Sequence, residues 1–130
     1  MKFQPDTLAG VNAVNRLEAG RLWVGTTAYP HSVLVPWRGP VQAWDAAGFE
    51  ALTEAHFARI AALEPEVVIF GSGARLRFPA PALLRTLIAR RIGVESMDSA
   101  AAARTYNVLV HEGRSVVGAF IVEAAADPAG

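Results

Sequence analysis

Apolar and polar positions follow two different periods along this chain, which divide it into a β-rich first third and an α/β remainder. Residues 67–70, Val-Val-Ile-Phe, are uninterruptedly apolar and break off at Gly71, a pattern typical of a central strand covered on both faces. A short strand-like segment at residues 94–97 and a closing apolar run at residues 116–122 each follow a stretch with helical spacing. This order predicts strand, helix, strand, helix and strand, the alternation of an α/β sheet with helices on its faces.

Local signals place the helix ends. Thr53 is suited to cap a first helix, and Pro81 is suited to the first position of a second, where its missing N–H costs nothing. Gly93 is expected to stop the second helix in a left-handed conformation, and Asp98 or Ser99 to cap a third. The second helix is expected to bury an apolar stripe made of Leu83, Leu84, Leu87 and Ile88.

The first third predicts an antiparallel β meander. Short runs at residues 12–17 and 22–29 predict the first two strands, and the second run alternates as a half-buried strand does. Residues 32–37 are predicted as a third strand that Pro36 should end or confine to a sheet edge. The connections are too short for parallel crossovers. Residues 1–10 are expected to form an irregular arm and residues 124–130 a frayed tail of one domain that spans residues 1–130.

Composition narrows the class of protein. Of the 130 residues, 52% are apolar and 18% charged, which indicates a folded chain with a sizeable core. Lys plus Arg and Asp plus Glu balance at 12 each, which argues against a nucleic-acid surface or a polybasic membrane patch. There is no cysteine, no signal-like N-terminus, and no apolar run near the roughly 20 residues of a membrane-spanning helix. We therefore expect a soluble cytoplasmic domain that neither spans a membrane nor binds nucleic acid.

The first candidate ligand site lies at the carboxyl ends of two predicted parallel strands. Its residues are Gly71, Ser72, Gly73, Asp98 and Ser99. The backbone amides of the Gly-Ser-Gly turn can bind an anion, and Asp98 can hold a proton or a hydroxyl group. The turn lacks the third glycine of a dinucleotide fingerprint and the Lys-Ser/Thr of a phosphate loop. The competing interpretation is structural: a tight strand exit that needs glycine, followed by an aspartate helix cap.

A second candidate surface lies on the last predicted helix, where Arg104, Asn107 and His111 share one face. Such a stripe either recognises a partner or acidic ligand or is an ordinary solvated face. Ser72 lacks the Gly-x-Ser-x-Gly context of a nucleophile, and the three histidines lie on separate elements without metal-ligand spacing. No complete catalytic constellation is present, so we predict no catalytic residue, no metal site and no cofactor.

Several segments taken in order resemble a known family: Gly71-Ser72-Gly73, the Pro79-x-Pro81 pair, residues 92–99 (Ile-Gly-Val-Glu-Ser-Met-Asp-Ser), residues 104–109 (Arg-Thr-Tyr-Asn-Val-Leu) and residues 112–114 (Glu-Gly-Arg). They are similar to a small domain-of-unknown-function family that includes the mitochondrial complex I (NADH dehydrogenase) assembly factor 3. The resemblance covers roughly residues 65–122. It implies a single three-layer α/β domain with a mixed central β-sheet, no established catalytic activity and no defined cofactor. The mitochondrial relatives act through protein–protein contact.

Three functional hypotheses follow. The first is a binding or assembly domain that contacts a protein partner near the Gly71–Gly73 turn and the face that bears Arg104 and Asn107. The second is a small-molecule site, of a binding protein or an enzyme, in which the turn amides hold an anionic group that Asp98 orients. The third is homo-oligomerisation through exposed apolar strand edges in the first third.

Overall fold

The computed structural model of the protein describes residues 10–123, so the predicted arm, apart from Gly10, and the predicted tail at 124–130 lie outside the described residues. Short 3-10 helices span Phe49–Ala51 and Pro81–Leu84. The strands and α-helices are, in chain order, β1 (Val14–Glu18), β2 (Arg21–Val24), β3 (Thr27–Tyr29), β4 (Val33–Pro36), β5 (Gln42–Ala43), α1 (Glu54–Ala61), β6 (Val67–Gly71), α2 (Arg85–Ala89), β7 (Gly93–Met97), α3 (Ser99–His111) and β8 (Val116–Phe120).

The central sheet is mixed, with the strand order β5-β4-β8-β6-β7. Strand β6 runs parallel to both β7 and β8, so that Val67 lies opposite Gly93 on one side and Val116 on the other. Strand β4 runs antiparallel to β8. Every residue of β6 and β8 is buried, which explains why their sequences are apolar without alternation.

The central sheet is covered on both faces, which gives the domain three layers. One face packs against α1 and α2 through a core that includes Trp44, Phe57, Phe70 and Leu87. The other face packs against α3 and the separate antiparallel sheet β1-β2-β3. The predicted three-layer α/β fold with a mixed central sheet is confirmed.

The expected antiparallel meander is present in β1 to β3, but the single strand predicted over residues 22–29 is divided by a turn at residues 25–26 into β2 and β3. The third predicted strand is not part of this meander. Residues 33–36 leave the small sheet and pair antiparallel with β8, with Val33 opposite Phe120. Short loops allow neighbouring strands to pair but do not require it. Pairing with β8 is favoured because it buries all four apolar residues of β4. Pro36 ends this strand, as predicted.

The predicted caps are confirmed at Thr53 and Asp98. Thr53 forms a capping box with His56 at the start of α1, and an Asp98 carboxylate oxygen accepts from the Ala101 amide at 2.9 Å. The predicted stop at Gly93 is wrong, because Arg91 adopts the left-handed conformation (φ 58°) and Gly93 already begins β7.

The predicted apolar stripe of the second helix is also partly wrong. Leu87 is fully buried, but Ile88 is 60% exposed. The segment begins as a 3-10 helix at Pro81, and its tighter winding changes the angular position of the residues that follow. A stripe derived from α-helical spacing across residues 83–88 therefore assigns Ile88 to the wrong side.

Candidate functional site

The Gly71–Gly73 turn connects the end of β6 to the start of α3 through close backbone approach. A Cβ atom on Gly71 would lie 2.9 Å from the Phe120 ring and 3.0 Å from Ser99 Oγ. Gly73 has φ +103°, a conformation that side-chain-bearing residues rarely adopt. The backbone oxygen of Gly73 accepts from the Ser99 amide at 2.8 Å. Both glycines are therefore explained by the structure of the turn.

Ser72 is fully buried and its hydroxyl group is engaged within the protein. Its Oγ lies 2.7 Å from the Arg75 carbonyl oxygen and 3.0 Å from that of Met97, and it accepts from the Arg77 amide at 2.9 Å. A hydroxyl has one proton to donate, so the two carbonyl groups share it. These contacts fold the chain after β6 back on itself and connect it to β7.

The turn amides that the sequence suggested for an anion already have acceptors inside the protein. The Ser72 amide donates to the Met97 carbonyl oxygen at 2.9 Å, and the Gly73 amide donates to Ser99 Oγ at 2.9 Å. Ser99 is 3% exposed, and its hydroxyl also lies 3.4 Å from the Ile121 carbonyl oxygen. The structure thus joins Gly73 and Ser99 by hydrogen bonds and fixes Ser72 beside them. Gly71 and Asp98 lie next to them in the chain but bond elsewhere, Gly71 O with the Ile121 amide and the Asp98 carboxylate with the Ala101 amide.

An arginine that the sequence reasoning missed covers this turn. Arg77 Nη2 donates to the Ser72 carbonyl oxygen at 2.6 Å and to Glu123 Oε1 at 2.8 Å. Its guanidinium group stacks over the Phe49 ring at 4.8 Å. Glu123 and Phe49 are far from Arg77 in sequence, so no local signal identified this role. The alternation of Leu76, Arg77 and Phe78 favours an extended segment with the two apolar side chains buried and the arginine exposed, and the structure has the opposite orientation.

Of the three residues predicted to share a face of α3, Asn107 differs in environment from Arg104 and His111. Asn107 Oδ1 accepts from the Val14 amide at 2.9 Å, and its Nδ2 donates to the Val14 carbonyl oxygen at 2.8 Å. The side-chain amide therefore binds the edge of β1 as a neighbouring strand would. Arg104 is exposed, and the exposed side of α3 continues with Val108, which is 56% exposed, and His111. We call Arg104, Val108 and His111 the α3 ridge.

Tyr106, beside Asn107, contacts the segment that precedes β1 and the end of β4. Its hydroxyl lies 3.2 Å from each of two carbonyl oxygens, those of Asn12 and Pro36. Burial raises the pKa of the Tyr106 phenol far above its usual range, because the charged phenolate would be desolvated. The phenol therefore stays neutral and remains a hydrogen-bond donor.

A shallow cavity of about 150 Å³ lies at the opposite end of the sheet from the turn, near the residues that precede β6 and β8. Its walls include Pro36, Trp37, Pro65 and Ser115. Typical sites for drug-sized ligands measure roughly 300–1,000 Å³, so this cavity accommodates only a small group. Within residues 10–123 no cluster of three or more His, Asp or Glu side chains has the arrangement of a metal site.

Comparison with known proteins identifies the protein family to which the chain belongs. The chain belongs to the family described as a protein of unknown function (DUF498/DUF598), whose family model matches residues 14–121. The resemblance inferred from the sequence is therefore confirmed.

Among curated proteins, the chain is similar to NADH dehydrogenase [ubiquinone] 1 alpha subcomplex assembly factor 3 of Bos taurus. The two are 38% identical over 81 residues, which is 61% of this chain and 44% of the relative. The chain thus spans less than half the length of that relative. In the part of the chain that the structure describes, no helix is long and apolar enough to cross a bilayer.

Solved structures share the fold. A protein of Bordetella parapertussis is 35% identical, with a TM-score of 0.83 over 90% of this chain and 100% of that protein. A Bordetella pertussis protein described as an Mth938-like domain is 29% identical, with a TM-score of 0.82 over 97% of this chain and 95% of that domain. The Mth938-like architecture agrees with the three layers described above.

Proposed function

We propose that this protein is an assembly-type binding domain that acts through protein–protein contact, with the α3 ridge as its contact surface. The observation that carries the proposal is Val108, an apolar side chain that is 56% exposed at the centre of the ridge. Arg104 lies four residues before it and His111 three residues after it, so both are its neighbours on the helix surface. An apolar centre with a polar rim is the usual arrangement of a protein interface.

The inner side of α3 supports this role because it is fixed to the rest of the domain. Asp98 caps the helix, Ser99 binds the Gly73 turn, and Asn107 binds β1. A helix held at its start and at its middle presents its outer residues in a preorganised position, which lowers the entropic cost of binding. In this proposal the residues of the Gly71–Gly73 turn position the helix, since all three are themselves buried.

The relatives named as complex I assembly factors support an assembly-type role, and we extend that role to this chain as part of the proposal. The cytoplasm stays our proposed compartment. The alternative, an anionic small-molecule site at the turn with Asp98, has weaker support from the geometry. The Ser72 and Gly73 amides already have acceptors, and Asp98 accepts from the Ala101 amide.

The test is affinity capture with cross-linking from an extract of the organism that encodes the chain, quantified by mass spectrometry. The tagged wild type is compared with Val108→Asp, which places a charge at the centre of the ridge. The matched control is Arg59→Glu, an exposed position on α1, on the other face of the central sheet. Val108 is exposed, so its replacement should leave the melting temperature nearly unchanged.

We expect at least one partner whose recovery falls about tenfold or more in Val108→Asp and is unchanged in Arg59→Glu, as for a residue at the centre of an interface. Equal recovery of every partner from wild type and Val108→Asp would refute the ridge as the contact surface. Sedimentation of the purified protein tests the remaining prediction of homo-oligomerisation. A dimer dispersed by Val108→Asp would identify a second copy of the chain as the partner.

A further inference from the structure

The connection between β6 and β7 has a net positive charge that the composition of the whole chain conceals. We call residues 72–92 the crossover. They include five arginines and neither Asp nor Glu, although the complete chain contains 12 basic and 12 acidic residues. The rest of the chain is therefore net negative. The arginines are Arg75, Arg77, Arg85, Arg90 and Arg91.

Four of these arginines are exposed and take part in none of the ion pairs found among residues 10–123. Only Arg77 is paired, with Glu123. Arg90 additionally lies 3.5 Å from the Ala61 carbonyl oxygen, which leaves its charge uncompensated. The nearest acid along the chain, Glu95, lies on the other face of the sheet, because its neighbour Val94 packs on the α1 and α2 side.

The same crossover displays most of the exposed apolar surface. Four large hydrophobic side chains are exposed in the described part of the chain, and three of them belong to the crossover. Phe78 is 69% exposed, Ile88 60% and Leu76 50%, whereas the fourth, Val108, lies on α3. Exposed apolar side chains concentrated in one segment mark an interaction site more often than scattered ones do.

The structure explains why Leu76 and Phe78 project outward. In an extended segment alternate residues point to opposite sides. Here Arg77 is turned inward to Ser72, Glu123 and the Phe49 ring, and Pro79 is buried, so the intervening side chains face solvent. The prolines at 79 and 81 favour this extended backbone for the residues that precede them.

The helical half of the crossover repeats the combination of charge and apolar surface. In α2 the side chain of Leu87 is fully buried, which turns the next residue, Ile88, toward solvent. Arg85 precedes Ile88 by three residues and is therefore its neighbour on the helix surface. Each half of the crossover thus combines an exposed arginine with an exposed large apolar side chain.

We propose that the crossover is a peripheral docking surface for an anionic lipid membrane, in which Leu76, Phe78 and Ile88 enter the headgroup region and the arginines contact lipid phosphates. Charge complementarity requires an anionic partner, and arginine binds phosphate in a bidentate manner. The apolar side chains project singly from a loop and a short helix. A bilayer is laterally extended and can receive them at separate points, whereas a bound peptide needs a continuous groove.

The test is co-sedimentation of the purified full chain with vesicles of phosphatidylcholine alone and with vesicles that also contain phosphatidylglycerol. We expect binding to the vesicles with phosphatidylglycerol, weakened by added salt. The double variant Arg75→Gln/Arg85→Gln should bind about 25-fold more weakly, at about fivefold per arginine near an anionic surface. Leu76→Ser/Phe78→Ser should weaken binding on the order of tenfold or more.

The matched control for charge is the double variant Arg21→Gln/Arg59→Gln, since both residues are exposed outside the crossover. This control should bind the vesicles as the wild type does, and circular dichroism should report the same fold for every variant. Absence of binding to the anionic vesicles, equal binding to both vesicle types, or equal loss in the control would overturn the proposal. If vesicles are not bound but a purified acidic protein is bound in an Arg75- and Arg85-dependent manner, the membrane assignment is wrong and the surface serves a protein.

Discussion

Asn107 connects two layers of this domain through a single side chain. Its amide group makes two hydrogen bonds with Val14, at 2.9 and 2.8 Å, and Val14 is fully buried. Asn107→Ala leaves both the amide and the carbonyl group of Val14 without their partner. Each buried backbone group that loses its hydrogen bond costs about 1–3 kcal/mol, and partial relaxation toward solvent reduces the sum. We therefore expect a loss of about 2–4 kcal/mol in the free energy of unfolding.

Urea denaturation followed by tryptophan fluorescence measures this loss, and amide hydrogen exchange locates it. Protection should fall first in β1 and β2, because α3 holds the small sheet partly through this contact. The matched control is Val108→Ala, one residue further along the same helix but exposed, which should change stability by less than about 0.5 kcal/mol.

A second variant separates the two hydrogen bonds. Asn107→Asp keeps an acceptor for the Val14 amide but places a carboxylate oxygen against the Val14 carbonyl oxygen, so it should also destabilise at neutral pH. Protonation restores a donor, so the folded state binds this proton more tightly than the unfolded chain does, and the deficit should shrink as the pH falls. A loss below about 0.5 kcal/mol in Asn107→Ala, or a deficit of Asn107→Asp that grows on acidification, would refute the reasoning.

Three further predictions concern the turn and the small sheet. Gly71→Ala should lower the free energy of unfolding by about 1–3 kcal/mol, because its Cβ would crowd Phe120 and Ser99. Gly93→Ala is the control and should leave stability unchanged, because no heavy atom lies within 4 Å of the new Cβ. Equal melting temperatures for the two variants would contradict this prediction. Because burial raises the pKa of the Tyr106 phenol, the unfolded chain loses this proton first in alkali, which should destabilise the fold. Ultraviolet absorbance should show that Tyr106 ionises only as the protein unfolds. Ionisation before unfolding would be inconsistent with its burial. In a double-mutant cycle, Arg77→Gln and Glu123→Gln should show a coupling energy of about 0.5–1 kcal/mol, because solvent partly screens this ion pair. Independent effects of the two substitutions would show that stacking on Phe49 alone holds Arg77.

Local physics explains which parts of the fold the sequence could predict. The apolar run at residues 67–70 predicts a buried central strand because a strand covered on both faces has no solvent side to mark with polar residues. The caps at Thr53 and Asp98 were predictable because an N-cap satisfies amides only two or three residues away. Ile88 was assigned to the wrong side because the 3-10 winding at Pro81 changes the phase of the residues after it.

The sequence by itself determined the α/β class, the family and the presence of the Gly71–Gly73 turn, since all three depend on residues adjacent in the chain or in a fixed order. Tertiary structure alone decided that β4 pairs with β8, that Asn107 faces β1, and that Arg77 is paired with Glu123. These contacts join residues separated by 46 to 93 positions or depend on which sheet edge remains open. No local sequence pattern predicts these pairings, because they depend on which apolar surfaces and polar groups become buried against each other when the layers pack together.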